Sequence, residues 1–368
     1  MRKIHFLVFL VCLTACGQQD TTINSIKEDY EHKVITDKVE IPWGFDFLPD
    51  QSILITDRNG KLFHYQDGNT KEITKVPEVY AENQGGLLDI KIHPEYPEQP
   101  WIYISYSSVA GEEEGAHTAL ARAQLNNDEL TDLEVLYKAT PNTTKGIHFG
   151  SRIEFDNEGF LYLTIGERGQ RDVNPQDITR DGGKVYRFHD DGSIPRSNPF
   201  YDDADAKKAI YSYGHRNPQG MERHPETGKI WVHEHGPRGG DEINIIKKGA
   251  NYGWPVITYG INYSGTEITE QTSRPGMEQP FYYWVPSIAP SGMTFVRSDK
   301  YPHLNGNLLV GSLKFVYLEH LILEDDKVKD REKILMNHGR LRSVKQGPDG
   351  YIYAGIEDVG LVKILPKE

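Results

Sequence analysis

Cysteine is nearly absent: the 368 residues include two, Cys12 and Cys16, both at the very start. A disulfide framework therefore does not hold this chain together, and no CxxC pair offers a zinc or redox site. No Lys/Arg-rich run occurs, and the formal net charge is -13. Binding to phosphate backbones needs a basic face, so nucleic acid is excluded as a partner and the acidic surplus reads as a solvated surface. Familiar signatures are missing too. There is no GxGxxG after a strand, no GxxxxGK[ST], no GxSxG and no HExxH, which leaves nicotinamide, nucleotide and zinc chemistry with little support. His233-Glu234-His235 looks metal-like. On a strand, however, the two histidines share one face and the glutamate takes the other.

Charge of one sign and apolar runs meet only at the beginning. Residues 1–16 read MRKIHFLVFLVCLTAC: basic Arg2 and Lys3, an apolar stretch Phe6–Leu13, then small residues. This is a secretory signal layout, too short for an ordinary spanning helix. Leu13-Thr14-Ala15-Cys16 resembles a bacterial lipobox, in which the cysteine is lipidated and becomes the first mature residue; an ordinary signal cut nearby is the alternative. The expected organisation is a lipoprotein signal peptide over 1–15, a polar tether from lipidated Cys16 through residue 30, and one domain over 31–368. Such a chain is exported and held at a membrane by its lipid, on the periplasmic or cell-surface side.

What the chain has in abundance is turn residues and aromatics: 35 Gly, 21 Pro and 21 Tyr, which suit many short strands better than helices. An imperfect repeat emerges, an alternating strand, a turn with Pro, Asp or Gly, and a second aromatic or β-branched strand. Its copies occupy 43–56, 86–105, 150–164, 217–233, 291–311 and 340–355. Anchored on Pro49, Pro94, Asp156, Pro225, Asp299 and Pro348, they are 45, 62, 69, 74 and 49 residues apart. A four-stranded blade with short loops needs roughly 40–50 residues, so the middle spacings leave room for insertions. Each copy is a hairpin that cannot bury both faces alone, and radial stacking solves this while protecting sheet edges. The expectation is an all-β, six-bladed β-propeller, with a β-sandwich or jelly roll as the alternative. A strand within 32–41 beside the terminal GLVKILP (360–366) is expected to close the ring.

The densest chemistry lies in 211–255, where GHRNPQG, EHGPRGGDEIN and GANYGWP follow one another. With QGGLLDIKIHP (84–94), HFGSRIEFDNEGFLYLTIGERG (148–169), GKVYRFHDDGSIPRSNPF (183–200) and GRLRSVKQGPDGYIY (339–353), they resemble the soluble aldose sugar dehydrogenases that use pyrroloquinoline quinone (PQQ). The resemblance covers most of the chain from about residue 40 onward. It implies a six-bladed propeller, PQQ and Ca2+ as cofactors, an aldose substrate, and a separate electron acceptor whose identity it leaves open. PQQ carries three carboxylates, so cations are needed where it binds. The matching positions are Arg216, Lys314, Arg340 and Arg342, with Gln84, Asn217, Tyr263, Leu341 and the backbone around Ser312 and Leu313 beside them. Arg340 and Arg342 are two apart and point to one side of an extended strand.

By the same resemblance the carbonyls of Gly236 and Pro237 ligate a cofactor-side calcium, and Glu242 with the carbonyl of Tyr252 a second one. An irregular Gly/Pro loop supplies such oxygens, although a plain tight turn with a solvated acid fits the residues as well. His148 matches a catalytic base for the anomeric hydroxyl, Glu167 the carboxylate that orients it, and Arg216 a donor to the quinone oxygen. Residue 147 is Ile, where the glucose-specialised branch has an acid, which leans toward the broader aldose branch.

Two other functions fit a propeller: a non-redox module binding glycan or protein, and a calcium-dependent lactonase. The discriminating set is His148, Arg216, Lys314, Arg340 and Arg342. A binding module has no need of four cations aimed at a tricarboxylate, and a lactonase wants acidic and amide ligands around an exposed calcium.

Overall fold

The computed structural model describes residues 25–27 and 29–367, and these form strands, turns and loops with no helix. The signal peptide, Cys16 and the first part of the expected tether lie outside the described residues. The end of that stretch differs from a free tether: Ser25–Lys27 pair in parallel with the outermost strand of one sheet, and Tyr30 already begins another.

Six sheets make a six-bladed β-propeller. Numbered along the chain, the blades begin with the strands Pro42–Phe47, Leu87–Ile92, Ile153–Phe155, Pro218–Arg223, Pro290–Phe295 and Leu341–Gln346. These six pack in that order around the axis, and the last returns to the first. Each repeat copy read from the sequence is the first hairpin of one blade. Blade 6 takes its outer strand from the start of the chain, Tyr30–Thr36 running antiparallel to Gly360–Pro366 with Tyr30 opposite Pro366. This closes the ring where expected, and covers the outer edge of Gly360–Pro366 with a strand from the start of the chain.

The second strands are buried along their whole length, as in Ile53–Asp57, Leu161–Ile165 and Ile352–Ile356. Each is covered on both faces by neighbouring blades, so strict alternation of apolar and polar residues gives way to continuous burial. Outer strands such as Asn69–Ile73 are mostly exposed. The core is accordingly divided into clusters, six of them each between an adjacent pair of blades and a seventh that joins Trp43, Leu88, Ala116 and Phe149.

The axis is pinned by one side chain. Arg152, just before the first strand of blade 3, donates from Nε to the Gln219 carbonyl at 2.7 Å and from Nη2 to the Arg342 carbonyl at 2.9 Å. Its Nη1 reaches the Trp43 carbonyl and Asp89 Oδ1, both at 3.1 Å. The guanidinium lies 4.0 Å from the centre of the Trp43 ring. A buried Arg thereby ties blade 3 to blades 1, 2, 4 and 6.

Candidate active site

The innermost strands all run the same way along the axis, so their starts collect at one end, and a cavity of about 230 Å³ opens there. Blades 1, 4, 5 and 6 place residues at this end from the start of their own first strands: Trp43, Arg216 with Asn217, Ala289, and Arg340 with Arg342. Blades 2 and 3 contribute Gln84 and His148 from the approaches to Leu87–Ile92 and Ile153–Phe155. The lining holds four guanidinium groups, from Arg58, Arg216, Arg340 and Arg342, and no carboxylate among the described residues. In a chain of net charge -13 this is a concentrated anion site.

Glu357 organises two of these cations. It accepts from Arg340 Nε at 2.8 Å and from Arg342 Nε at 3.1 Å, with Arg342 Nη2 closer still. Burial works against the Glu357 carboxylate, but Arg342 and then Arg340 hold it below the usual range. Burial also brings the Arg342 guanidinium down to about 10, with Glu357 opposing that shift. Arg216 is held by the carbonyls of His235 and Gly236, to which its Nη1 donates at 3.0 and 2.9 Å.

A wider cavity of about 570 Å³ adjoins the first and shares His148, Arg216 and Tyr263 with it. Its other walls come from segments that lengthen blades 3 and 4: Arg171 and Asp172 on one side, Trp254 and Asn262 on the other. The long repeat spacings are thus the material of this cavity. Tyr263 stands 74% exposed between the two spaces.

At the shared wall His148 Nδ1 makes a short hydrogen bond with Glu167 Oε1. That leaves Nε2 as the free face of the imidazole. The loop around the histidine is braced from two blades, by Gln84 Oε1 accepting from the His148 N–H at 2.8 Å and Asn217 Oδ1 accepting from the Gly150 N–H at 3.1 Å. His148 itself has φ of 56°, a left-handed conformation uncommon for a side chain of its size. The opposing Gly166 permits this, since a Cβ there would lie 2.2 Å from the His148 carbonyl oxygen. Burial is the main cause that lowers the His148 pKa, Arg216 adds to it, and Glu167 opposes it. Glu167 Oε2 is buried with no partner among the described residues. A neutral imidazole backed by a carboxylate at a cavity wall can accept a proton.

The structure therefore brings His148, Glu167, Arg216, Gln84, Asn217, Tyr263, Leu313, Arg340 and Arg342 to the two cavities, and Pro237 to the wider one. It does not bring Leu341, Ser312 or Lys314 to the lining. Leu341 alternates with its neighbours and points into the core between blades 5 and 6. Ser312 spends its hydroxyl on the Ile288 carbonyl at 2.8 Å. Lys314 is exposed, its Nζ 4.9 Å from the Phe315 ring centre.

For the expected calcium ligands the surroundings are rich in oxygen. A Cβ on Gly236 would meet the carbonyl oxygens of Gly239 and Gly240 at 2.3 Å, so that loop is a tight cradle of carbonyls. Asp241 holds it, accepting from the Gly236 N–H at 2.7 Å with one oxygen and from Ile288 and Ala289 N–H at 2.7 and 2.9 Å with the other. Glu242 faces Glu234 across paired strands, and Asn244 Nδ2 bridges the two carboxylates at 3.2 and 3.0 Å. Burial and then the Glu234 charge push the Glu242 carboxyl well above its ordinary range. Asn244 Oδ1 is buried without a partner among the described residues. Tyr252 belongs to the same neighbourhood, its ring 4.6 Å from that of His215, which bonds Glu234. Two repelling carboxylates and an orphaned amide oxygen fit a hard cation. His233, by contrast, is buried and pushed down to about 3 by burial, while His235 lines the smaller cavity, so the pair does not form a metal site together.

Sequence reasoning missed Trp43, Arg58, Gln219, His235 and Glu357 in the cavity region, and Arg152 beneath it. A signal for several of them was present in the repeat. Arg58, Glu167, His235, Leu313 and Glu357 each stand one or two residues past the end of a second strand, in five of the six blades. That strand is antiparallel to the innermost one, so its end returns to the same face.

The glucose/sorbosone dehydrogenase family model matches residues 39–363. The chain is 42% identical to aldose sugar dehydrogenase YliI of Escherichia coli over 377 residues, covering 100% of this chain and 99% of that protein. Quinoprotein glucose dehydrogenase B of Acinetobacter calcoaceticus is 33% identical over 292 residues, 70% of this chain and 60% of that one. The crystal structure of the soluble aldose sugar dehydrogenase from Escherichia coli in the apo-form superposes with a TM-score of 0.88 at 40% identity, over 92% of this chain and 100% of that one.

Proposed function

Because the chain belongs to the glucose/sorbosone dehydrogenase family, and so is a sugar oxidoreductase, we propose that it oxidises aldoses at C1 to aldonolactones with PQQ and Ca2+. The observation that carries this is the smaller cavity, with four guanidinium groups and no lining carboxylate among the described residues, joined to a wider one through His148. Arg216, Arg340 and Arg342 would hold the tricarboxylate, with the amide nitrogens of Gln84 and Asn217 left for it because their oxygens brace the histidine loop. When bound, PQQ supplies the hydride and electron acceptor that no side chain can provide. The sugar occupies the wider cavity, and His148 Nε2 takes the proton of its anomeric hydroxyl. Glu167 at Nδ1 fixes the ring and stabilises the imidazolium. Arg216, locked by two carbonyls, presents a fixed positive charge at the junction of the cavities. The carbonyls of Gly236 and Pro237 would ligate the calcium beside the cofactor, and Glu242 with the Tyr252 carbonyl a second one.

Calorimetric titration of apo-protein with PQQ, with and without Ca2+, tests the assignment, alongside dye reduction with an aldose panel. Arg342→Ala is expected to weaken PQQ by about 1.5–3 kcal/mol, the scale of a hydrogen bond to a charged group. It also frees Glu357 to repel the cofactor's carboxylates. Lys314→Ala, outside the lining, should cost less. Unchanged PQQ affinity in Arg342→Ala would favour a cavity that binds a glycan or a protein instead.

For the N terminus we infer lipidation of Cys16 and export. Two or more acyl chains, at about 0.8 kcal/mol per buried methylene, hold a protein at a bilayer. The expected result is that wild-type protein partitions with membranes while Cys16→Ser is soluble or unprocessed. A free, unmodified residue downstream of Cys16 in mass spectra of the mature protein would remove the anchor.

A further inference from the structure

Blade 5 carries a cluster away from both cavities. His320 and Glu332 are directly paired across its third and fourth strands, Tyr317–Glu324 and Lys327–Ile334. His303 comes over them from the turn in which Leu304 N–H donates to the Tyr301 carbonyl. One carboxylate oxygen of Glu332 lies 2.6 Å from His303 Nε2 and 3.0 Å from His320 Nδ1. The three ligand-capable atoms are all within 4.8 Å of one another. The side chain of His320 is fully buried and that of Glu332 nearly so, while His303 is 47% exposed and gives solvent a way in.

We propose that His303, His320 and Glu332 form a binding site for a zinc-class divalent transition-metal ion. Two imidazoles and a carboxylate are a zinc-type donor set, whereas calcium takes six to eight oxygens. Bonds of about 2.0–2.2 Å to a tetrahedral ion space the ligand atoms by roughly 3.3 Å, so the two carboxylate contacts need to open by less than about 1 Å, while the two imidazole nitrogens, at most 4.8 Å apart, need to approach by up to about 1.5 Å. Three protein ligands leave a fourth position for water on the exposed side of His303. Metal at Nδ1 leaves the His320 proton on Nε2, which is buried with no partner among the described residues, so the site lacks the outer hydrogen bond that commonly supports a metal-bound imidazole.

The location gives the ion a role. Ser25 pairs with Glu332 where the N-terminal strand Ser25–Lys27 joins the blade. A metal here ties the turn at His303 to the two outer strands of the blade, beside the pairing of Ser25–Lys27 with Glu332–Ile334.

Chelator-stripped, untagged full-length protein titrated with Zn2+ by calorimetry, and with Co2+ by visible absorption, tests the site. One saturable Zn2+ per chain is expected, with tetrahedral Co2+ bands, and His303→Ala should weaken binding by more than about tenfold. Because His303 is on the surface, that variant is chosen to fold even where His320→Gln does not. Glu242→Gln should leave the Zn2+ isotherm unchanged, which separates this site from the calcium ligands and from sugar oxidation. Absence of saturable binding, or binding that His303→Ala leaves intact, overturns the proposal.

Discussion

His148→Asn should lower kcat by roughly 10²–10⁴-fold while PQQ affinity changes little. Asparagine is the informative replacement because His148 has φ of 56°, and Asn tolerates the left-handed region where Ala adds strain. The hydrogen bond that the residue 148 N–H donates to Gln84 Oε1 survives the change. The pH profile gives a second readout. Burial, and next Arg216, place the His148 pKa below the ordinary value of about 6.5. Only the neutral imidazole accepts the proton, so kcat/KM is level above that pKa and falls below it, and activity persists into mildly acidic solution. Glu167 opposes the downward shift, since its charge favours the imidazolium. Glu167→Gln should therefore move the acid limb to still lower pH while reducing kcat. Stopped-flow rates with one aldose across pH 4–8 (about that window) measure both. Turnover near wild type in His148→Asn, or an acid limb that Glu167→Gln leaves in place, would remove the pair from proton transfer.

Arg152→Met is expected to cost about 3–5 kcal/mol of stability, the range for breaking one partner out of a buried ion pair. The side chain donates to three carbonyls and to Asp89, and its removal leaves the Asp89 charge buried. Against a total of about 5–15 kcal/mol for a folded domain, this is a large fraction. The carbonyls it holds belong to Trp43, Gln219 and Arg342, and all three residues line the smaller cavity. PQQ affinity should therefore fall together with stability, which a loss of packing elsewhere would not produce. Urea denaturation and PQQ titration of the same protein read the two effects. If charge burial is the cause, Arg152→Met with Asp89→Asn recovers much of the stability, and a loss below about 1 kcal/mol in the single variant would contradict the axial role.

The hairpins were legible because everything that defines them is local. Pro49, Asp156 and Pro348 sit in turns whose backbone preferences act over a few residues, and the flanking strands show their apolar positions directly. Six such units imply a ring, and the partner of Gly360–Pro366 could be sought near the opposite end of the chain. His148 and Glu167 were also within reach, since a repeat unit carries both, one before its first strand and one after its second.

The cavity was decided elsewhere. Which of two neighbouring residues faces it depends on how a strand is rotated about the axis, and that is settled by blades packed on both sides. Arg340 and Arg342 turn to the cavity while Leu341 turns to the core, a division that family resemblance alone did not make. Arg152 meets the Arg342 carbonyl across 190 positions of sequence, and no local pattern encodes that contact. Pattern and turn chemistry operate over a few residues and so determined the blades. The charge of the site arises from six strand starts and five strand ends meeting at one end of an axis, and only ring closure brings them there.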